Sequence, residues 1–346
     1  MDFGKHYKDK NVIVTGGASF IGSHLVDALV KYEAKVKIID DFSSGNIRNL
    51  SSAINEIEVI ELDLRKRENL SGHFKNSDVL FHLAAIHGGR GFIETQKRQM
   101  FDNFNIDTNV FTSAIDNRTS MIVHASSACV YPVTLQDKEI DRNLLKETEA
   151  NLTIQGNAFP DGVYGWIKLM GEYQLQTLTN SEIKGRSARI FTAYGERENL
   201  SHAAIALIAK ADLKLDPFPV WGTGNQTRNF THVSDTVKGL LYLGSDTQKT
   251  NFEVYNIGTS NHIRVIDFIK EILNQNSWEP EDWNFQIDKP VGVSSRASDN
   301  QKMKSVFGWE PTLSISEGIR KTLHWYNSSD LKVQSLNELE SKLLQR

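Results

Sequence analysis

A tyrosine and a lysine four residues apart, in the string VYGWIK, are well suited to proton transfer. Tyr164 and Lys168 lie on one face of the helix that the pattern predicts over residues 162–180. A phenol with a pKa of about 10 is a poor base at neutral pH, but a nearby ammonium stabilises the phenolate. An isolated pair of this kind is usually a surface pair, so its interpretation depends on the surrounding elements.

Two serines end the strand that the string SMIVHASS predicts at residues 120–127. Ser126 and Ser127 would lie at the carboxyl edge of a parallel sheet, which is where open α/β folds bind ligands. Either hydroxyl could donate a hydrogen bond to a reacting oxygen. The chain's only cysteine, Cys129, follows two residues later.

A glycine turn, TGGASFIG, follows the first predicted strand and opens a helix. Gly16, Gly17 and Gly22 allow the backbone to turn tightly and approach a pyrophosphate, which the helix N-terminus then holds. A P-loop is excluded, because Ser23 and His24 stand where Lys and Ser or Thr are required. The context of strand, turn and helix therefore predicts a dinucleotide site.

An acidic residue follows the second predicted strand at the spacing that a ribose contact requires. Asp40, with Asp41 beside it, would accept a hydrogen bond from an adenosine 2′-hydroxyl and repel a 2′-phosphate. The sequence therefore predicts NAD rather than NADP. Asp63, after the third strand, could contact the adenine or simply cap the following segment.

Short β-branched runs alternate with helical patterns through the first half of the chain. We predict an α/β fold, a Rossmann-type doubly wound parallel sheet, with a smaller C-terminal α/β substrate lobe. The expected units are residues 1–185, binding NAD, and 186–346, mainly binding substrate, with some elements interleaved. Strands are predicted at 11–15, 36–40, 57–62, 78–85 and 120–127, and helices at 21–32, 96–116 and 162–180.

Composition favours a small-molecule partner. With 39 Lys and Arg against 43 Asp and Glu, the net charge of −4 gives no basic excess for nucleic acid. One cysteine excludes an intramolecular disulfide or a multi-cysteine zinc site, and we expect no metal. No long apolar run or signal-like start predicts a membrane span or secretion, so we expect a cytoplasmic protein.

These motifs together resemble the extended short-chain dehydrogenase/reductase family, specifically its NAD-dependent nucleotide-sugar epimerases and dehydratases. The strings TGGASFIG, IIDDFSSG, FHLAA, SSACVYP, RIFTAYG and WGTGNQTRNFTHVSD occur in the family's order. The resemblance implies that Tyr164 abstracts a hydroxyl proton, that Lys168 lowers its pKa and that Ser127 bonds the reacting hydroxyl. It implies NAD contacts from Gly16, Ser19, Phe20, Ile21, Gly22, Asp40, Asp63, Leu64, Leu83, Ala84, Tyr164 and Lys168.

Two strings, HGGRGFIET and ASSACVYP, are similar to the GDP-mannose 3,5-epimerase group. The resemblance implies that Cys129 exchanges a proton at carbon, although a lone cysteine at a strand end is commonly a small buried hydrophobe. Dehydratases of the family carry an Asp-Glu pair where Ala128 and Cys129 stand, which disfavours elimination of water. His202 occupies the position of that group's lysine, and could exchange protons or merely begin a helix.

The resemblance also implies a nucleotide-diphosphate sugar as substrate and a homodimer built on the two long helices. Two departures affect the site: Ser19 replaces the middle fingerprint glycine, and Thr192 replaces an asparagine. The expected substrate contacts are Gly89, Arg90, Ser126, Ser127, Thr192, Arg228 and Arg296. Besides a 3,5-epimerase, the sequence leaves open a simple 4-epimerase or C4 oxidoreductase, and a non-catalytic nucleotide-sugar sensor.

Overall fold

The computed structural model of the chain describes residues 2–70, 72–137, 143–333 and Leu339. Its strands, numbered in chain order, are β1 Asn11–Thr15, β2 Lys35–Asp40, β3 Ile57–Glu61, β4 Val79–His82, β5 Met121–Ser127, β6 Lys184–Ile190, β7 Ala193–Tyr194, β8 Phe218–Trp221, β9 Thr227–Arg228, β10 Thr231–His232, β11 Phe252–Ile257, β12 Ile263–Arg264 and β13 Trp283–Gln286.

The α-helices, numbered in the same way, lie between and after these strands. They are α1 Phe3–Tyr7, α2 Phe20–Lys31, α3 Arg90–Thr95, α4 Lys97–Met100, α5 Asp102–Asp116, α6 Gly162–Leu178, α7 Ala203–Asp212, α8 Val233–Gly244, α9 Val265–Gln275, α10 Gln301–Phe307 and α11 Ile315–Ser328. The helix predicted at 96–116 is divided at Phe101 into α4 and α5.

Seven strands form one parallel sheet in the order β3-β2-β1-β4-β5-β6-β11. The chain moves outward in one direction from β1 to β3 and then crosses to the other side of β1 for β4. The carboxyl ends of β1 and β4 therefore border a topological switch point, where such sheets bind ligands. The predicted fold class is confirmed.

Alternating strand residues bury both faces of the sheet. Val12 and Val14 of β1 pack with α2 and α8, whereas Ile13 packs with α5 and α6 on the opposite face. This period-two alternation, with apolar residues at every position, is typical of a strand covered on both sides. Because both faces are covered by helices, the residues at the strand ends are held in fixed positions.

A second core lies beyond the sheet and joins α7, α9 and α11 to the parallel pair β8 and β13. The boundary expected at residue 185 falls inside β6, and β11 returns from the second half to the edge of the large sheet. The division into two units remains a proposal, and residues 334–338 and 340–346 of the second unit lie outside the described residues.

Candidate functional site

The glycine turn after β1 has the geometry of a dinucleotide cradle. Gly16 has a φ of +70°, and a Cβ on Gly22 would lie 2.1 Å from the Gly16 carbonyl oxygen. Only glycine at both positions permits this close approach of α2 to the turn. Ser19, in place of the expected glycine, does not obstruct it, because its hydroxyl donates to the same Gly16 carbonyl at 2.5 Å.

Asp40 ends β2 beside this turn and is buried. Its carboxylate accepts hydrogen bonds from the backbone amides of Ala18 and Phe42, each at 2.9 Å. These two bonds fix the orientation of the carboxylate beside the glycine turn. The glycine cradle, the helix N-terminus and this fixed carboxylate together fit NAD.

A cavity of about 460 Å³ opens at the carboxyl edge of the sheet. All five predicted catalytic residues and all seven predicted substrate residues line it, among them Thr192 and Gly89. Ser19, Phe20, Ile21 and Leu83 of the predicted cofactor set line it too. The structure therefore brings residues from both halves of the chain into one site.

Tyr164 and Lys168 lie on α6 with both side chains buried. The Lys168 ammonium is 5.9 Å from the centroid of the Tyr164 ring. Burial raises the pKa of Tyr164 well above its ordinary value, and Cys129 and Asp107 add to the rise. In the free chain the pKa of Tyr164 is thus not lowered as expected from Lys168, because a buried phenolate loses its hydration.

A buried charged cluster lies next to Lys168, on the α5 side. His82 Nε2 is 3.1 Å from Asp107 Oδ1, and His82 Nδ1 is 2.7 Å from the hydroxyl of Thr15. Burial lowers the pKa of Lys168, whereas Asp107 and Glu172 oppose that change. Burial alone would raise the pKa of Asp107, but Lys168 and His82 hold it at about 2. Asp107 therefore stabilises the charged form of the ammonium.

The two serines that end β5 have different partners. Ser126 donates to Glu172, which itself forms an ion pair with Arg189 in the protein interior. Ser127 Oγ accepts from the Cys129 amide at 3.1 Å, which leaves its hydroxyl proton available toward the cavity. Successive strand residues point to opposite faces, so Ser127 is the better placed of the two to bond a substrate.

Cys129 lies in a short 3₁₀ turn, Ala128–Val130, and is partly exposed. A Cβ on Gly165 would lie 2.2 Å from the Cys129 carbonyl, so this turn packs directly on α6 next to Tyr164. Its Sγ is 3.4 Å from Nη1 of Arg296. The thiol is thus held beside a guanidinium at the cavity wall and is not a fully buried hydrophobe.

Three arginines meet at one end of the cavity. Arg90 and Arg296 both donate to Asp161 Oδ2, at 2.8 and 2.9 Å. Arg228 donates to three backbone carbonyls, and burial together with Arg296 and Arg90 lowers its pKa to about 9, which keeps it charged at neutral pH. Arg90 also pairs with Glu94, so three cations meet two carboxylates there, and the excess positive charge suits an anion.

His202 precedes α7, and its Nδ1 lies 2.9 Å from Oε1 of the buried Glu198. Its Nε2 is buried and has no hydrogen-bond partner among the described residues. The ring contacts that of His87 at a centroid distance of 5.4 Å, and the His87 ring is 4.9 Å from that of Tyr164. A Cβ on Gly89 would clash with the Ser201 carbonyl at 1.8 Å, so glycine there permits this contact.

Some predicted cofactor residues have other contacts. Asp63 pairs with Arg65 through both oxygens, at 2.8 and 3.0 Å, and also accepts from the Arg65 amide. Leu64 is buried in the core, and its carbonyl accepts from Asn109 at 3.0 Å. Ala84 lies against Gly16. Asp63 therefore bonds the segment that follows it, which is the alternative that the sequence left open. Its contact with the adenine stays a prediction.

Sequence reasoning missed His87, Glu198, Asp161 and Asp107. His87 begins the HGGRGF string, so its position beside two glycines was the available signal. Asp161 and Asp107 act through partners far along the chain, which periodicity does not show, whereas Glu198 lies only four residues before its partner His202. In the described part of the chain, no group of three or more His, Cys, Asp or Glu residues could hold a metal ion. None of the helices described there is long and apolar enough to span a bilayer.

Residues 12–258 match the family model described as the NAD dependent epimerase/dehydratase family. The chain is 32% identical over 323 residues to GDP-mannose 3,5-epimerase 1 of Oryza sativa subsp. indica, covering 91% of this chain and 81% of that protein. It is 28% identical to a UDP-N-acetyl-alpha-D-glucosaminuronate decarboxylase of Bacillus cytotoxicus, covering 92% and 98%. A UDP-glucuronic acid 4-epimerase from Bacillus cereus, solved with UDP-glucuronic acid and NAD, is similar with a TM-score of 0.81 and 25% identity over 92% of this chain and 99% of that one.

Proposed function

The chain belongs to the NAD-dependent epimerase/dehydratase family, and from this membership we propose that it is a nucleotide-sugar epimerase acting through a transient 4-keto sugar, with proton exchange at C3 and C5. It is an NAD-dependent enzyme, so the non-catalytic sensor is excluded. When bound, NAD supplies the acceptor and donor of hydride.

Chemistry at C4 requires a base and a hydrogen-bond donor at one oxygen. Tyr164 accepts the C4 hydroxyl proton, while Ser127 holds that oxygen and Lys168 stabilises the phenolate. Burial of Tyr164 means that the phenolate depends on nearby positive charge. We assign that charge to Lys168 together with the nicotinamide of oxidised NAD.

The observation that carries the C3 and C5 chemistry is that Cys129 and His202 line the same cavity as Tyr164. A ketone at C4 acidifies the neighbouring C–H bonds, so a thiol and an imidazole suffice to exchange protons there. A plain 4-epimerase needs neither group. The partly exposed Sγ at 3.4 Å from Arg296, and the unpartnered Nε2 of His202, support their use as acid and base.

The substrate class follows from the arginine cluster. Arg90, Arg228 and Arg296 carry one positive charge more than Asp161 and Glu94 balance, and guanidinium groups suit phosphate oxygens. The diphosphate of a nucleotide sugar would occupy this end of the cavity and place the sugar toward Tyr164. GDP-mannose is our first candidate, because of the similarity to a GDP-mannose 3,5-epimerase.

A second candidate is a 4-epimerase of a UDP-sugar, which is favoured by the similarity to a UDP-glucuronic acid 4-epimerase. Incubation with GDP- and UDP-sugars in D₂O separates the two. Deuterium at C3 or C5, found by NMR, supports the 3,5-epimerase, whereas a C4 isomer without deuterium supports the second candidate. Cys129→Ser should abolish deuterium incorporation but leave C4 oxidation. Conversion that persists in Tyr164→Phe would contradict our assignment of the base.

We also propose a homodimer that pairs α5 and α6 of two copies. Trp166 and Tyr173, seven residues apart on α6, are 43% and 40% exposed, and Phe101 before α5 is 53% exposed. Large exposed aromatics on adjoining helices are typical of an interface. Trp166→Glu should yield a monomer in light scattering, whereas Ile287→Glu, at an exposed apolar residue elsewhere, should not.

A further inference from the structure

One buried carboxylate lies among the arginines at the end of the cavity. Asp161, directly before α6, is 5% exposed, and its Oδ2 accepts from Arg90 at 2.8 Å and from Arg296 at 2.9 Å. Its own amide donates to the Cys129 carbonyl at 2.8 Å, which fixes its backbone. All three arginines line the cavity, whereas Asp161 is not among the described residues that do so. A ligand there would therefore contact guanidinium groups that Asp161 partly neutralises.

Three guanidinium groups in one cluster repel one another. Burial, Arg296 and Arg90 together lower the pKa of Arg228 to about 9. Burial alone would raise the pKa of Asp161, but Arg296 and Arg90 hold it below its ordinary value, so the carboxylate is ionised at neutral pH. Glu94 also pairs with Arg90, but its side chain is 36% exposed and its charge is screened by water. Asp161 is therefore the buried counter-charge of the cluster.

The arginines have uncharged partners as well. Arg228 donates to three backbone carbonyls, and Arg296 Nε donates to the side-chain oxygen of Gln136 at 2.6 Å. Arg90 packs against Gly292, where a Cβ would lie 2.8 Å from the guanidinium carbon. The cluster should therefore keep its geometry when only the charge of its carboxylate is removed.

An epimerase gains little from very tight binding of a diphosphate. Its substrate and its product carry the same diphosphate, so contacts to that group stabilise both, and they lower KM without raising kcat. Excess affinity would slow release of the product, a step that limits turnover in many enzymes. A fixed negative charge beside the arginines opposes such excess affinity.

We propose that Asp161 sets the affinity for the substrate: its carboxylate is a permanent counter-anion that stabilises the arginine cluster in the free protein and weakens its binding of the diphosphate, so that the product can leave. This rests on the proposed function, because it takes the diphosphate of a nucleotide sugar as the ligand of the arginines. No bond forms or breaks at Asp161, which stays ionised throughout.

Calorimetry with inorganic pyrophosphate tests this without turnover. The protein is saturated with NAD, so that the glycine turn is occupied. Asp161→Asn keeps an oxygen that accepts from the arginines but removes the charge, so Kd for pyrophosphate should fall about tenfold. A residue that served only to hold the arginines would give the opposite sign. Glu317→Gln, which removes the same charge from an exposed pair with Arg320, should leave Kd within about twofold.

Thermal unfolding gives an independent readout. Without ligand, Asp161→Asn should unfold at a lower temperature than the unsubstituted protein, because the arginines then lack their buried counter-charge. Saturating pyrophosphate should raise the unfolding temperature more in this variant, because the anion replaces the lost charge and binds more tightly. A variant that stays unfolded at saturating pyrophosphate contradicts the proposal. Glu94→Gln should tighten binding less than Asp161→Asn, because that carboxylate is screened by water.

Two results separate the role of Asp161 from the proposed function. If pyrophosphate binds, Arg296→Met weakens its binding and Asp161→Asn binds it no more tightly, the diphosphate site stands and Asp161 does not set its affinity. If pyrophosphate does not bind, or binds equally well to Arg296→Met, the diphosphate site fails and the role of Asp161 fails with it. With the nucleotide sugar, Asp161→Asn should lower KM about tenfold without raising kcat, and a higher KM would overturn the proposal.

Discussion

Replacing Lys168 by methionine removes the positive charge that we assign to phenolate stabilisation. The ammonium lies 5.9 Å from the Tyr164 ring centroid. Two unit charges about 6 Å apart attract each other by about 3 kcal/mol at an effective dielectric constant of about 20, which corresponds to about two pKa units. Lys168→Met should therefore lower kcat about 100-fold near neutral pH and move its alkaline rise upward by about two pH units.

The assay measures kcat for the sugar conversion as a function of pH. The absorbance of bound NADH follows the hydride-transfer step separately. Lys168→Arg keeps the charge and should retain much more activity than Lys168→Met. Lys302 offers a matched control, because its ammonium lies 4.6 Å from the Tyr255 ring centroid outside the cavity. Lys302→Met should leave both kcat and its pH dependence unchanged.

Stability must be separated from catalysis, because Lys168 also faces the buried carboxylate of Asp107. Removing one partner of a buried pair costs about 3–5 kcal/mol, since the other charge is left uncompensated. The double variant Lys168→Met with Asp107→Asn removes both charges and should recover much of that loss in urea unfolding. Activity should stay low in the double variant. Recovery of activity together with stability would refute our reasoning, because Lys168 would then be only structural.

Three further outcomes follow from the geometry. Gly22→Ala should abolish NAD binding in calorimetry, because its Cβ would lie 2.1 Å from the Gly16 carbonyl, whereas Gly4→Ala meets no atom closer than 3.4 Å and should bind normally. Arg296→Met should raise KM for the nucleotide sugar about tenfold or more, since a charged hydrogen bond is lost; an unchanged KM would contradict the diphosphate site. Asp107 has a pKa of about 2 in the folded chain against 3.8 ordinarily, so its stabilisation is present above about pH 4 and is lost as pH falls through about 2. Guanidinium unfolding at several pH values should show a loss of about 2.5 kcal/mol over this range, absent in Asp107→Asn.

The sequence by itself determined the sheet, the cradle and the edge at which chemistry occurs. Strand patterns are local, and parallel strands all end at one edge, so Gly16, Asp40 and Ser127 could be brought together without coordinates. Helical spacing placed Tyr164 and Lys168 on one face of a helix, but only the surrounding elements gave the pair a catalytic interpretation. The sequence did not predict the break at Phe101, which divides the helix expected over residues 96–116 into α4 and α5.

Only the tertiary structure decided which side chains pair. Ser126 and Ser127 are neighbours in the sequence, yet Ser126 is held by Glu172, which lies 46 residues away. Asp161 joins arginines that lie 71 and 135 residues away, and Asp107 meets Lys168 only because α5 and α6 pack on the same face of the sheet. Such contacts depend on packing between distant segments, and local periodicity carries no information about them.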